Sequence, residues 1–400
     1  VSGSDQKANY SIDNLRRKGI DNIHVGQSAE QIAQIHQKSP IDWFVYTSSL
    51  AQDHPELAFC KKNRIRASRR DELLNEILSQ NNLKLVAVAG THGKTTTTAM
   101  LIWLFGKLEI PVSFSVGAKV GNEDMGHFDP KGQYFIYEAD EYDHNFLAFH
   151  PFISLISGID WDHPDTYPTR KEYYKAFRDF INQSQHTVLW RDDSLKLGVS
   201  ATKDQLILEK NDRLITKFKL AGIVNRQNAW LAAKAIYEIV DVPLDQLVEI
   251  LNKFPGLSRR FEEIAPNIYT DYAHTPPKIR GALQLAQEVA GDNVVVVYEG
   301  IHNLRQHFIK EDLKNVFDDV KQLYIIPTYL AREDPNLPIL STEDLKGLLS
   351  SKSQTHTQTA LLNQVLKNKI KAHAQNSDLV LCFSAGGAGG IDEWLRKEFS

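Results

Sequence analysis

Cysteine is almost missing: Cys60 and Cys382 are the only two in 400 residues. They lie far apart and form no CxxC, which excludes a disulfide scaffold and a zinc–cysteine site and fits a reducing compartment. Charge of one sign is not in excess. Lys and Arg number 46 against 50 Asp and Glu, for a formal net charge of −4. Such a balance gives no bulk reason to bind nucleic acid or an anionic membrane, although a local basic pocket stays open. Long apolar runs are lacking too. Val294–Val297 is of strand length, far short of the ~20 residues of a membrane span. Internal repeats and low-complexity tracts are absent. What remains is ordinary globular usage, 42% hydrophobic and 24% charged, in a chain long enough for two to four domains at ~100–200 residues each.

Along the chain, short apolar strands alternate with helices, a pattern that predicts parallel sheets covered by helices, an α/β fold. Strands are predicted at 23–25 and 42–46, and helices at 29–37 and Ser68–Ser79. The polar Gln80-Asn81-Asn82 marks a first boundary, and Ala265-Pro266-Asn267 a second. Between them lie predicted strands at 83–89, 134–137 and 152–156 and helices at 171–181 and 225–239. Beyond them, strands are predicted at 294–298, 322–326 and 378–383. The expected domains are therefore 1–80, 81–264 and 265–400. The chain opens Val1-Ser2-Gly3-Ser4-Asp5, which reads as the end of a strand followed by a turn.

The most informative segment is Gly90-Thr91-His92-Gly93-Lys94-Thr95-Thr96, set between a predicted strand and a predicted helix. This is the context of a phosphate-binding loop: backbone N–H groups and the helix dipole face an anion. Lys94 can reach the β- and γ-phosphates, and the Thr95 hydroxyl can ligate Mg²⁺. The full pattern has a further Gly where Val88 stands. Two acidic stretches also follow apolar strands. Glu138-Ala139-Asp140-Glu141-Tyr142-Asp143 suits a hard divalent cation, since Mg²⁺ takes oxygen ligands beside nucleotide phosphates. A solvated acidic loop is the commoner meaning of such a run; its place at a strand end favours a site. In Asp160-Trp161-Asp162-His163-Pro164-Asp165, His163 stands among carboxylates.

The shortened loop Gly-Thr-His-Gly-Lys-Thr-Thr resembles the ATP loop of the Mur ligases, in the form used by those acting on UDP-N-acetylmuramate. The resemblance extends over the chain in spaced blocks. It implies three domains: a Rossmann-like N-terminal domain for the UDP-sugar, a central P-loop ATPase-like domain and a C-terminal Rossmann-like domain. The first strand and glycine loop of the N-terminal domain would precede Val1. It implies that Gly90, Thr91, His92, Gly93, Lys94, Thr95 and Thr96 bind ATP. Glu138 would ligate magnesium, supported by Asp140, Glu141 and Asp143, and His163 would bind a second ion. Manganese is the substitute ion. No residue can be placed as the carbamylated lysine that several family members use.

Further matches carry further roles. Asn225 and Asn228 resemble the family's His-Asn-x-x-Asn element, with Val224 in place of His, and Asn228 would contact adenine. Gly256-Leu257-Ser258-Arg259-Arg260-Phe261-Glu262 resembles the family hinge, so that Arg260 would reach the ATP phosphates. Asp271-Tyr272-Ala273-His274-Thr275-Pro276 matches the Asp-Tyr-Ala-His-x-Pro motif. Asp271 would bind the ribose, with Tyr272 and His274 facing the substrates. Arg305 keeps one of the arginines that grip the incoming amino acid, while Glu299-Gly300-Ile301-His302 departs from the family's turn. Ser48 is the candidate contact at a Ser-Ser strand end, and Asp5 the candidate at the uridine end. Phe383–Gly390 reads as a tight structural turn.

The implied activity is ATP-dependent amide-bond formation through an acyl phosphate, with Lys94, His163, His274 and Arg305 carrying the chemistry. The implied partners are UDP-N-acetylmuramate and L-alanine, with no nucleic acid and no membrane insertion. A bacterial cytoplasmic monomer or homodimer is expected. The alternatives are a ligase that recycles a tripeptide onto the same sugar nucleotide, a related amide ligase of the folylpolyglutamate or cyanophycin kind, and a nucleotide-binding regulatory protein without catalysis.

Overall fold

Strands pair in parallel almost throughout, with helices supplying the crossovers. The computed structural model describes residues 1–8, 10–47, 50–118, 124–163, 166–330, 333–384 and 389–399, with the side chains of residues 10 and 11 excepted. Ser48 and the turn at 385–388 lie outside the described residues. Contacts divide the chain into two compact units, one made of Val1–Asn82 with Asp143–Phe149 and one of Leu83–Tyr142 with His150–Ser400.

The first unit runs β1 (Gly3–Asp5), α1 (Tyr10–Arg17), β2 (Ile23–Val25), α2 (Ala29–Lys38), β3 (Trp43–Tyr46), α3 (Pro55–Lys62), β4 (Arg66–Arg69) and α4 (Arg70–Gln80). β1 pairs in parallel with β2, and β3 with β4. Ile12, Ile23, Ile32, Leu57 and Cys60 are buried in it. The helix predicted over Ser68–Ser79 starts later, at Arg70, because Ser68 and Arg69 continue β4 opposite Val45 and Tyr46. Ser68 is buried there and its hydroxyl accepts a 2.7 Å bond from the Trp43 indole. The segment Asp143–Phe149 joins this unit through an Arg69–Asp143 ion pair of 2.9 Å and a 2.8 Å bond from Asn75 Nδ2 to the Ala148 carbonyl.

Among the described residues, the second unit holds two sheets. The first has seven strands: β5 (Lys84–Ala89), β6 (Val112–Ser115), β7 (Gly126–His127), β8 (Tyr134–Glu138), β9 (Ile153–Ile156), β10 (His186–Trp190) and β11 (Gln205–Leu208). Their order is β11-β10-β9-β5-β8-β6-β7, antiparallel only at β6–β7. The central β5 is flanked on both sides, so Leu85 to Ala89 form a continuous buried run rather than an alternating one. Around it lie α5 (Lys94–Lys107), α6 (Arg170–Gln183), α7 (Arg191–Leu197), α8 (Ile223–Ile239) and α9 (Leu244–Leu251). Met100, Leu101, Leu104 and Phe105 of α5 pack with Trp230 and Leu231 of α8 in one core.

The other sheet has six strands, β12 (Glu262–Ala265), β13 (Ile268–Asp271), β14 (Val294–Ile301), β15 (Gln322–Tyr329), β16 (Thr357–Thr359) and β17 (Leu379–Phe383), in the order β12-β13-β17-β14-β15-β16. Its faces alternate as a two-sided sheet should. Val294 and Val296 belong to one core, and Val295 and Val297 to the other. The turn at Ala265–Asn267, read from sequence as a domain boundary, joins the antiparallel β12 and β13 inside this sheet. Asn267 takes the left-handed conformation that the turn needs, with φ +64°. α10 (Pro276–Ala290) follows β13, and α11 (Asn303–Ile309) follows β14. The seven- and six-stranded parts meet where Arg226 of α8 pairs with Glu288 of α10 at 2.6 Å and Gly222 lies against Leu285. No helix among the described residues is long and apolar enough to cross a membrane.

Candidate active site

The loop after β5 is shaped by close backbone approach. Gly90 has φ +140°, and a Cβ there would fall 2.6 Å from Ser157 Oγ and 2.9 Å from the Gly158 carbonyl. Gly93 has φ +77°, and its Cβ would fall 2.7 Å from Asn228 Oδ1. Glycine meets both demands at no steric cost. α5 begins at Lys94, so Lys94, Thr95 and Thr96 form its first turn. No side chain caps that end, which leaves N–H groups and the positive end of the dipole for an anion. Thr91 clamps the loop: its hydroxyl donates to the Asp160 carbonyl at 2.6 Å and bonds Tyr173 Oη at 2.7 Å. His92 Nε2 lies 2.9 Å from Asp160 Oδ2, and burial pushes the imidazole below its ordinary pKa.

Two groups of metal-type donors line the same cavity of about 510 Å³. In the first, the Thr95 hydroxyl donates to Glu138 Oε1 at 2.7 Å, and Glu138 Oε2 accepts from Gly117 N at 2.7 Å. In the second, Asp140, Glu141 and His163 bring one donor atom each within 4.8 Å of one another. Carboxylate and hydroxyl oxygens with one imidazole fit Mg²⁺ or Mn²⁺ rather than a thiophilic ion. Lys94 bridges the loop to the second group, donating to the Gly90 carbonyl and to Glu141 Oε2 at 2.6 Å each. Burial works against both charges of that pair. Their mutual attraction wins: the Lys94 pKa lies above its ordinary value and that of Glu141 below. Tyr173 Oη donates to Glu141 Oε1 at 3.3 Å.

The C-terminal sheet supplies the opposite wall. Asp271 ends β13 with both carboxylate oxygens engaged, accepting from Phe261 N and from Ala273 N at 2.8 Å each. Burial raises its pKa, and the Arg260 charge offsets part of that rise. Arg260 lies over the Tyr272 ring, 5.2 Å from its centroid. His274 Nδ1 is 2.9 Å from the Tyr272 carbonyl, so Nδ1 carries the proton and Nε2 is the acceptor. Burial, then the Lys278 and Arg305 charges, hold His274 well below its usual pKa, and it is neutral at pH 7. Arg305, on α11, donates to Asp162 Oδ1 at 2.8 Å. Burial would raise the Asp162 pKa, but Arg305, His163 and Lys278 hold it far below the carboxylate range.

The structure thus brings Thr91, His92, Gly93, Lys94, Thr95, Thr96, Glu138, His163, Asn228, Arg260, Asp271, Tyr272, His274 and Arg305 to one cavity; Gly90 does not line it, and its carbonyl accepts from Lys94. Asn228 reaches it as the side chain against Gly93. Asp143 belongs to the first unit. Its backbone and that of His144 turn left-handed, at φ +52° and +58°, and its carboxylate pairs with Arg69. Asp5 belongs to the first unit, where Oδ1 accepts from Lys7 N at 3.2 Å. Asp162 and Lys278 in the wall, and Tyr173 buried behind Glu141, were not singled out in the sequence reading. Asp162 registered only as a neighbour of His163, and Tyr173 only as part of an aromatic helix. Lys278 drew no notice, although a lysine just after Pro276-Pro277 at a helix start was a visible oddity.

A strand, a glycine turn and an uncapped helix facing acidic ligand sets define a nucleotide-phosphate site. Comparison with known proteins places it in a family. The description "Mur ligase family, catalytic domain" matches residues 1–82, "Mur ligase middle domain" 88–205, and "Mur ligase, glutamate ligase domain" 259–386. A UDP-N-acetylmuramate–L-alanine ligase of Renibacterium salmoninarum is 30% identical over 96% of this chain and 88% of its own length. Another, from Acetivibrio thermocellus, is 27% identical over 100% of this chain and 90% of its own length. The chain belongs to the Mur ligase family. Among solved structures, the UDP-N-acetylmuramate–alanine ligase of Thermotoga maritima is similar with a TM-score of 0.76 at 22% identity, covering 100% of this chain and 92% of that one. A murein peptide ligase from Psychrobacter arcticus gives 0.65 at 20% identity, covering 100% and 93%. These two likenesses show the fold.

Proposed function

We propose that this chain is an ATP-dependent ligase joining the lactyl carboxylate of UDP-N-acetylmuramate to the amino group of L-alanine. The observation that carries the reading is the single cavity in which the phosphate loop, both acidic donor groups and the cations of the C-terminal wall converge. The names of the relatives supply the substrates. In the first step a carboxylate oxygen attacks the γ-phosphorus, the bond to the β–γ bridging oxygen breaks, and ADP leaves. In the second, the amine nitrogen attacks the acyl carbon, the amine gives up a proton, and phosphate leaves.

Each residue has a task in that scheme. The loop N–H groups and the start of α5 hold the phosphates, and Lys94 neutralises charge building on the transferring oxygens. Thr95 and Glu138 would hold one Mg²⁺, and Asp140, Glu141 and His163 a second; bound there, the ions neutralise phosphate and carboxylate charge. Asn228 and Arg260 contact the nucleotide, and the remaining lone pairs of Asp271 serve a ribose hydroxyl. His274, neutral with Nε2 as acceptor, takes a hydrogen bond from the incoming amine. Tyr272 and Arg305 border the amino-acid side. We place the three domains at 1–80, 81–264 and 265–400, except that β12 (Glu262–Ala265) goes with the six-stranded sheet of the third, and read the protein as cytoplasmic, a monomer or homodimer.

The test is ADP release from ATP and Mg²⁺ with UDP-N-acetylmuramate and a panel of amines: L-alanine, other amino acids and the tripeptide L-alanyl-γ-D-glutamyl-meso-diaminopimelate. Dependence on the sugar nucleotide and on L-alanine together supports the reading. Release without the sugar nucleotide, or a preference for the tripeptide, refutes it.

A further inference from the structure

Among the described residues, one cation of the cavity has no direct polar partner. Lys94, Lys196, Lys210 and Arg305 each have a carboxylate within 4.0 Å, at 2.6, 3.2, 3.2 and 2.8 Å. Arg260 stacks on Tyr272. Lys278 lines the cavity, half-buried, with neither a hydrogen bond nor an ion pair among the described residues. Its position is unfavourable on its own account. It is the third residue of α10, where a positive charge opposes the helix dipole. The two residues before it, Pro276 and Pro277, have no N–H, so the start of this helix has little backbone donor capacity for an anion. The Thr275 hydroxyl beside it is buried without a partner. A half-buried, unpaired ammonium at a helix start is retained at a cost, which an anionic ligand would offset.

The surroundings select the anion. Lys278 lines the cavity with His274 and Arg305, and its charge is felt at Asp162, His274, Asp271 and His92. Arg305, the residue expected to take the amino acid's carboxylate, is already matched by Asp162 at 2.8 Å. That pair sums to zero, which leaves Lys278 as the cation beside it with no carboxylate of its own. Burial, with the Lys94 and Arg305 charges, lowers the Lys278 pKa to about 8 against the pull of Asp162 and Glu141, which keeps most of the ammonium charged at pH 7.

We propose that the Lys278 ammonium binds the α-carboxylate of the incoming amino acid, with the Arg305–Asp162 pair fixing the wall beside it. This rests on the ligase reading above and adds to it the residue that recognises the amine substrate as an amino acid.

The experiment compares full-length wild type, Lys278→Met and Lys278→Arg by two measurements. The first is steady-state turnover with ATP, UDP-N-acetylmuramate and either L-alanine or L-alaninamide, which lacks the negative charge. The second is positional isotope exchange in ATP with the sugar nucleotide and no amine, which reads acyl-phosphate formation alone. Lys278→Met should raise KM for L-alanine on the order of tenfold to a hundredfold, the range for losing a charge-assisted hydrogen bond. KM for ATP and the isotope exchange should stay within about twofold of wild type. The wild-type preference for L-alanine over L-alaninamide should shrink in Lys278→Met and return in Lys278→Arg. An unchanged KM for L-alanine overturns the proposal, and so does an isotope exchange that falls with it, which would assign Lys278 to the phosphoryl group. If wild type shows no exchange that depends on the sugar nucleotide, the ligase reading itself fails, and the proposal with it.

Discussion

Replacing Lys94 by Met separates its structural weight from its chemical one. The Lys94 ammonium is 15% exposed and the Glu141 side chain 1%, with 2.6 Å between them. Removing one partner of a buried pair leaves an unmatched charge and typically costs about 3–5 kcal/mol. Glu141 keeps two other contacts, Tyr173 Oη at 3.3 Å and His163 Nε2 at 3.7 Å, so the lower part of that range applies, about 3–4 kcal/mol. At roughly 2 °C per kcal/mol for a unit of this size, the melting temperature falls by about 6–8 °C. The double variant Lys94→Met/Glu141→Gln removes both charges and keeps the shapes, so it should regain at least half of the loss. Turnover should not return with it. Losing a donor aimed at developing charge costs about 10²–10³ in rate, and that loss should persist in both variants. Scanning calorimetry and an ADP-release assay on all three proteins decide the matter. If Lys94→Met keeps turnover within about tenfold, Lys94 is not the phosphoryl-stabilising residue. If the double variant melts no higher than the single one, the pair is not what Lys94 contributes to the fold.

Two further outcomes follow from the packing. Gly90→Ala puts a methyl 2.9 Å from the Gly158 carbonyl at φ +140°; it should weaken ATP binding and cost about 1–3 kcal/mol, and titration calorimetry with unchanged affinity would contradict this. Arg396 clamps Glu262 with bonds of 3.1 and 2.6 Å, and Arg259 N adds one of 2.6 Å. Burial raises the Glu262 pKa, but these partners bring it below its ordinary value. Its stabilisation is therefore present above the unfolded pKa near 4.3 and is lost as pH falls through the lower folded value. With Arg396 41% exposed, Glu262→Gln should cost about 1 kcal/mol at pH 7 and progressively less below pH 4. Equal losses in urea titrations at pH 7 and pH 3.5 would count against the clamp.

What the sequence disclosed was local. The loop at 90–96 could be read because strand, glycines, Lys94 and helix follow one another without interruption, and the resemblance then carried the α/β fold and its three domains. Where function depends on residues far apart, composition and spacing are silent. Asp162 and Arg305 are 143 positions apart, and neither stretch hints that the other neutralises it. Asp143 looked like its acidic neighbours, but it belongs to the first unit, where it pairs with Arg69. Tyr173 sits in a helix whose aromatic face reads as core. It is fully buried, yet its hydroxyl ties Glu141 to Thr91. Strands β6, β10 and β11 were missed: runs of four or five residues are hard to tell from buried helix, and β8 and β9, equally short, were read where an acidic motif follows them. Ser68 and Arg69 were absorbed into the helix that follows them for the same reason.

The central claim is that one cavity couples ATP cleavage to a bond between a sugar-nucleotide carboxylate and an amine. Mass spectrometry of the reaction of this chain with ATP, Mg²⁺, UDP-N-acetylmuramate and L-alanine tests it most directly. The account predicts a product equal to the two substrates less one water, formed one for one with ADP and absent when any component is left out. ADP formed without that product, or equally fast without the sugar nucleotide, would contradict it.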